Sequence, residues 1–402
     1  MVPFPADPLP PLHGLRVVEA ARVLAGPFCG QLLADLGAEV IKVERPGSGD
    51  DTRGWGPPFH GDLSAYFLSC NRNKKSVTLD VQNAEGNDVL HRLLAVSDVL
   101  IENFRSDSVQ KLGLDPAELL ARHPRLVVCS ISGFGRTGPN ADAPGYDFAI
   151  QALTGLMGIT GPPEGPPYKV GVAVADVLTG LYASTAILAA LKARERSGHG
   201  YAIDLALFDC SLAAQVNVAQ AYLTSGTAAP RQGNAHLQIV PYQLFATADG
   251  YLVLNVGNDG QWRAFCTAAE DPGLGMDVRF RTNRQRVERR TEVVPLVEAA
   301  LKKWTTAEWE RRLAEAGVPH AVVRDYTAVF ADPQVASRGM KLTVTDPLGQ
   351  PVDLIGSPIK IAGTGEASAT IAPQLGADTA RVLESLGIDA ATYARMKAAG
   401  AV

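Results

Sequence analysis

Asp176 is the acidic residue whose surroundings best suit covalent or proton-transfer chemistry. It follows the small apolar run VGVAVA and opens DVLTGLYASTAILAALKARERSG, a long apolar stretch of helical character with Gly198 near its end. A carboxylate at a helix N-cap meets free N–H groups and the positive end of the helix dipole, which favour its ionised form. That chemistry is a fixed nucleophile or base. From position alone, a plain helix cap is the favoured reading of the residue.

A second cluster is basic. Lys42 and Arg45 close an apolar strand-like run, Arg53 follows in GSGDDTR, and Asn71-Arg72-Asn73-Lys74-Lys75 precedes another strand pattern. Cations at strand ends of a doubly wound sheet lie where such folds bind ligands, and phosphate is the expected guest; a solvated charge cluster is the alternative. Glu44 stands where a dehydrogenase would hold a ribose, yet the first turn, Ala25-Gly26-Pro27-Phe28-Cys29-Gly30, lacks the G-x-G-x-x-G phosphate turn. Gly133-Phe-Gly-Arg-Thr-Gly138 does fit that pattern, but Pro139 to Pro144 cannot propagate a helix, so a loop is expected there. Among the histidines, only His236 in GNAHLQIVPYQ falls in a plausible site loop. The sequence has no H-E-x-x-H, G-x-S-x-G or P-loop motif.

These residues must be positioned by alternating elements. LRVVEAARV, AGPFCGQLLADLGA and EVIKVER read as strand, helix, strand; SVTLDV, NAEGNDVLHRLLAVS, DVLIENF, PAELLARHP and RLVVCSIS repeat the cycle. The expectation is an α/β fold with a mostly parallel sheet covered on both faces. Composition changes near GTAAPRQGNAH; beyond it PYQLFATADGYLVLNV reads as a hairpin around Asp249-Gly250, followed by a charged helical block, a smaller α+β unit. A chain of 402 residues exceeds the usual size of one core, which agrees with two domains.

A net charge of -5 gives no general attraction to nucleic acid or anionic membrane. No apolar run is read as reaching the ~18 residues of a membrane span, and MVPFPADPLPPLHG lacks the charged and apolar parts of a signal peptide. Cys29, Cys70, Cys129, Cys210 and Cys266 are odd in number and widely spaced, which reads as buried reduced thiols rather than disulfides or a metal site. A cytoplasmic location is expected.

Taken together, GLRVVEAARVLAGPFCGQLLADLGAEVIKVERPGSGDDTR, CNRNKKSVTLD, SDVLIENFR, ISGFGRTGPNADAPGYD, GVAVADVLTGLYA and RQGNAH resemble the class III CoA-transferases. AGVPHAVVRD, DPQVASRGM and PQLGADTARVLESLG extend the resemblance over nearly the whole chain. It implies an interlocked homodimer, each subunit with a large Rossmann-like domain (1–225), a small α+β domain (226–325) and a C-terminal segment (326–402) that returns to the large domain. It further implies that Asp176 is the catalytic nucleophile, forming a mixed anhydride and then an enzyme–CoA thioester. Arg45, Leu79, Asn103, Phe104 and Lys111 fall where the family holds CoA. The acyl-CoA enters as a substrate, with no resident cofactor and no metal.

Departures within the resemblance narrow the substrate. The related 2-methylacyl-CoA racemases carry a Gly-His-Asp motif, whereas this chain has Gly145-Tyr146-Asp147. A tyrosine hydroxyl, which ordinarily ionises near about pH 10, is a poor base at neutral pH. Leu24 replaces a glutamine that meets oxalate in formyl-CoA transferase, and His236 follows Gly233-Asn234-Ala235 in place of a glycine run. The pattern is similar to the branch that uses succinyl-CoA with dicarboxylic or sulfinate acceptors, with Leu24, Tyr146 and His236 as candidate substrate contacts. A racemase or epimerase, and a non-catalytic CoA-binding protein, are the alternatives.

Overall fold

The β-branched runs of the N-terminal half become the strands of one parallel sheet. A computed structural model describes residues 9–365 and 368–402; the first eight residues, and with them part of the leader expectation, lie outside the described residues. In chain order come β1 (Arg16–Ala20), α1 (Ala25–Asp35), β2 (Glu39–Glu44), the short pair β3 (Phe59–His60) and β4 (Leu63–Ser64), α2 (Ala65–Asn71), β5 (Lys74–Thr78) and α3 (Ala84–Ala95). Next are β6 (Val99–Glu102), α4 (Ser106–Lys111), α5 (Pro116–Arg122), β7 (Val127–Ser132), α6 (Asp147–Leu153), α7 (Leu156–Ile159), α8 (Val174–Ser197), β8 (Ala202–Ala206), α9 (Leu207–Ala213) and α10 (Val216–Ser225).

The central sheet has the order β5-β2-β1-β6-β7-β8, all parallel. This is the order of the doubly wound nucleotide-binding sheets, in which ligands bind outside the carboxyl ends of the strands where the winding reverses. The reversal lies between β1 and β6. Strands β6 and β7 are apolar on both faces because both are covered. One face carries α3, α5 and the C-terminal residues Val382 to Val402; the other carries α1 and α8 around Val17, Cys29, Ile101 and Ile187.

Two compact units emerge. Among the described residues, the first runs to Thr154 and adds Gly171–Ala214 and Pro333–Val402; the second comprises Gly155–Val170 and Gln215–Asp332. The divisions thus fall at 214/215 and 332/333 where 225/226 and 325/326 were expected, and the Gly/Pro-rich segment after α6 joins the second unit through Gly233 N–H to Gly161 and Arg231 to Gly165. The second unit contains the expected hairpin, β9 (Tyr242–Ala246) against β10 (Tyr251–Asn255), with β11 (His320–Val322) on its other edge. Its core gathers Trp262, Phe265, Trp309 and Leu313.

All five cysteines are buried. One structural finding departs from the reading of apolar runs: α8, at 24 residues, is long and apolar enough to cross a membrane by length and composition. Gly180, Ser184 and Thr185 interrupt its runs without making it polar. Its buried residues, Ala175, Thr179, Ala183 and Ile187 among them, pack in the core of the first unit.

Candidate active site

Asp176 sits where two helices meet closely. A Cβ on Gly180, one turn further along α8, would lie 2.8 Å from the Ala25 carbonyl oxygen and 3.0 Å from Phe28, so only glycine lets α8 approach the start of α1 this nearly. This brings the start of α1 beside Asp176, where the Ala25 N–H lowers the pKa of its carboxyl. Asp176 is not the N-cap that the sequence suggested: the cap is Ala173, and Asp176 occupies the third helical position. The orphan N–H of Ala175 is taken instead by Asp147 Oδ1 at 2.8 Å, whose other oxygen accepts from Gln151 at 2.7 Å. A second acid performs the capping task, so the carboxylate of Asp176 is not engaged in it.

The electrostatic expectation for Asp176 is also corrected. Burial, reinforced by the negative charge of Asp147 and only partly offset by the Ala25 N–H, pushes its carboxyl up to about 7. Desolvation outweighs the helix dipole here because the dipole is worth ~1 kcal/mol while each pKa unit is about 1.4 kcal/mol. Nearby Tyr66 is pushed up to about 12 by burial and by the charge of Asp176.

The basic cluster is mostly internal. Lys42, fully buried, bonds Glu19 at 3.0 Å and Asp50 at 2.9 Å, and Lys74 bonds Glu19 at 2.8 Å and the Pro27 carbonyl at 2.7 Å. Burial disfavours the Lys42 ammonium, but Glu19, Asp50 and Glu44 outweigh it and raise its pKa. Arg53 grips Glu44 and stacks on Phe67 at 3.8 Å, Arg72 pairs with Asp35, and Lys75 pairs with Glu39. The expected phosphate role is therefore not available to Arg53, Arg72, Lys74 or Lys75 as they stand, and Glu44, bound to Arg53, is no ribose ligand. Buried lysines and arginines next to acids leave the same sequence signature as a phosphate site.

What remains open is a cavity of about 510 Å³ at the carboxyl ends of β1, β2, β5 and β6, lined by Arg22, Lys42, Arg45, Leu79, Gln82 and Phe104 among others. It gathers three of the five residues that the resemblance assigned to CoA. Arg45 is exposed and has no ion pair among the described residues. Asn103 instead clamps the turn after β1, accepting from Arg22 N–H at 3.0 Å and donating to its carbonyl at 2.9 Å. Lys111 is 77% exposed at the end of α4 and 3.7 Å from Asp107, outside the cavity lining. Arg22, two residues beyond the end of β1 and not singled out from the sequence, also lines the cavity and pairs with exposed Asp51 at 2.9 Å.

Leu24 begins α1 as its N-cap, one residue before the N–H that reaches Asp176. Tyr146 precedes α6 and is 69% exposed. The glycine motif that fits a nucleotide turn has a packing reason: a Cβ on Gly133 would lie 2.7 Å from Gly145 Cα, so two loops touch backbone to backbone beside Tyr146. His236 lies in the second unit, lining a cavity of about 270 Å³ with Asn217, Gln232 and Leu237. Its Nδ1 accepts the Gln238 N–H at 3.0 Å, and burial together with Arg290 lowers its pKa, so the ring is neutral with its proton on Nε2. Among the described residues no group of three or more His, Cys, Asp and Glu could hold a metal ion.

Comparison with known proteins gives the family. The sequence matches CoA-transferase family III over residues 12–379. It is 44% identical to the succinate–glutarate CoA-transferase of Agrobacterium fabrum, over 94% of this chain and 96% of that protein, and 40% identical to the succinyl-CoA:glutarate CoA-transferase of Mus musculus, over 94% and 87%. Among solved structures, a CAIB/BAIF family protein from Brucella suis superposes with a TM-score of 0.82 at 45% identity, covering 94% of this chain and all of that one. Rv3272 from M. tuberculosis gives 0.82 at 33% identity, over 93% and 99%. The chain, with its parallel sheet, its strand-end cavity and its half-buried aspartate, belongs to CoA-transferase family III.

Proposed function

We propose that the protein moves CoA from succinyl-CoA to a dicarboxylic acceptor such as glutarate, with Asp176 as the covalent carrier. The observation that carries the reading is Asp176 itself, a half-buried carboxylate at the junction of α1 and α8, held by one backbone N–H and free of the capping role. The names of relatives at 44% and 40% identity support the donor and the acceptor class.

The Asp176 carboxylate attacks the thioester carbonyl of the donor; the C–S bond breaks and CoA leaves as thiolate with the electron pair. The thiolate then attacks the aspartyl carbonyl of the mixed anhydride, releasing succinate and leaving an aspartyl–CoA thioester. The acceptor carboxylate attacks that thioester, giving a second anhydride and thiolate, and the thiolate takes the acceptor's acyl group, restoring Asp176. Each step exchanges one activated acyl bond for another, so no nucleoside triphosphate is consumed. Raised to about 7, the Asp176 carboxylate is once ionised a stronger nucleophile than an ordinary carboxylate, which favours its attack on the donor thioester.

Arg22, Arg45, Leu79 and Phe104 are proposed to hold CoA, and His236 Nε2–H to meet the distal carboxylate of the acceptor. Racemisation is disfavoured because Tyr146 replaces the basic histidine and the Asp147 carboxylate is engaged at α8. We also propose a homodimer in a reducing, cytoplasmic setting. Exposed Phe148, Leu153, Leu181 and Leu212 on α6, α8 and α9 support a covering partner, and five buried thiols support the compartment.

The test is mass detection of CoA esters after mixing the protein with succinyl-CoA and, separately, glutarate, malate, itaconate, 3-sulfinopropionate and oxalate, with Asp176→Ala as control. A new ester made only by the unaltered protein establishes transfer and names the acceptor. Absence of any new ester, with deuterium entering the α-carbon from heavy water, would replace transfer by epimerisation. Light scattering after size exclusion tests the dimer.

A further inference from the structure

The turn between β1 and α1, and the first turn of α1 after it, are held at several backbone polar groups by side chains from elsewhere. The Ala21 carbonyl accepts from Lys42 at 2.9 Å, Asn103 binds both Arg22 N–H and C=O, and the Pro27 carbonyl accepts from Lys74. In its middle Val23 has φ of 72°, the left-handed region that a β-branched residue avoids by roughly tenfold in population or more. The Val23 N–H points at both oxygens of Asp50, at 3.3 and 3.2 Å, and Asp50 is itself fixed by Lys42 and by Thr52 N–H and hydroxyl. Two residues further on is the Ala25 N–H that reaches Asp176.

We propose that Asp50, held by buried Lys42, is a positioning residue for CoA transfer: by accepting the Val23 N–H it keeps the turn left-handed and so sets the start of α1 against the turn of α8 that carries Asp176. A strained backbone persists only where its surroundings over-determine it, and the ring of bonds around this turn does so. The same turn presents Arg22 to the strand-end cavity, so one buried ion network sets both the CoA side and the nucleophile side of the site. The inference rests on the reading of Asp176 as the acyl carrier.

In Asp50→Asn, an amide NH₂ in place of one oxygen faces two donors, and the Val23 bond is lost or weakened. The expected result is a 10- to 100-fold lower kcat for transfer and a higher pKa of Asp176, read as a pH titration of its carboxylate infrared band by difference against Asp176→Asn. Of the other titratable groups facing Asp176, Asp147 keeps its partners, while Tyr66 loses the charge of Asp50, which lowers its pKa toward the ordinary tyrosine value and leaves it protonated over the titration range. Adding Val23→Gly should recover a fivefold or greater part of the lost rate, because glycine adopts the left-handed region without penalty. A general structural role of Asp50 would not be repaired by a glycine.

Should Asp50→Asn fail to fold, Val23→Pro and Val23→Gly decide the matter. Proline cannot reach this φ and has no N–H, so it should abolish transfer and raise the Asp176 titration, while glycine keeps both near normal. Equal activity of these two variants, or an Asp50→Asn enzyme with unchanged rate and titration, overturns the proposal. The titration is measured without substrate; a shift there in a protein that never transfers CoA would uphold the positioning and refute the transferase reading alone.

Discussion

Replacing Asp176 with asparagine should stabilise the fold at alkaline pH and much less at acid pH. Its carboxyl rises to about 7 from a reference of 3.8, so the folded state holds the proton more tightly than the unfolded chain. The sign follows directly: the group costs little below about pH 4, and the cost grows as pH rises toward 7, where the folded carboxyl ionises in its buried position. About three units at about 1.4 kcal/mol each give an upper limit of about 4 kcal/mol above pH 7. Between pH 4.5 and pH 8 the difference grows by about 3 kcal/mol at most, and water entering the site should reduce that to about 1.5 kcal/mol. The assay is denaturant unfolding of both proteins at the two pH values, with the variant's advantage at pH 8 compared against that at pH 4.5. Other titrating groups cancel in this comparison. An advantage that is absent at pH 8, or equal at both, would refute the claim that burial and Asp147 govern this carboxyl. A carboxylate that destabilises its own fold is the trade between activity and stability expected of the proposed acyl carrier.

Four further outcomes follow from the same geometry. The rate of transfer at low substrate should fall below neutral pH with an apparent pKa near about 7, because only ionised Asp176 attacks; a flat profile down to pH 5 would contradict the mechanism. Arg45→Ala should raise KM for the acyl-CoA roughly 10-fold with kcat changed less than about threefold, whereas Lys111→Ala, at an exposed position outside the cavity lining, should change KM by less than about threefold. Gly180→Ala should push α1 from α8, costing about 1–3 kcal/mol in unfolding experiments and slowing transfer at least 10-fold, since its Cβ would sit 2.8 Å from a carbonyl oxygen. His236→Phe should raise KM for the acceptor acid several-fold and leave the acid limb of the pH profile in place, because that limb belongs to Asp176.

The alternating patterns from residue 15 to 132 were legible because strands such as β6 are short apolar runs and helices such as α3 carry a one-sided apolar stripe, signals that local sequence carries by itself. The hairpin at Asp249-Gly250 was legible for the same reason. The unit boundary was not: α10 has no buried residue within its own unit, so its pattern gives no sign of which core it belongs to. The site was legible as a location and not as a set of roles. Lys42 and Arg53 were visible as cations at strand ends, but their neutralisation depends on Glu19, Asp50 and Glu44, partners whose proximity only the folded sheet creates.

The same distinction explains Asp176. Its place at the start of a helix was read from the residues before and after it, and that reading implied a stabilised, strongly acidic carboxylate. The tertiary contacts reverse the sign: Asp147, some thirty residues earlier, takes the cap, Gly180 draws the helix against α1, and burial then acts on a carboxylate left with one backbone donor. A local motif can therefore mark a candidate nucleophile while misjudging its acidity, because position is fixed by the chain and ionisation by what packs around it.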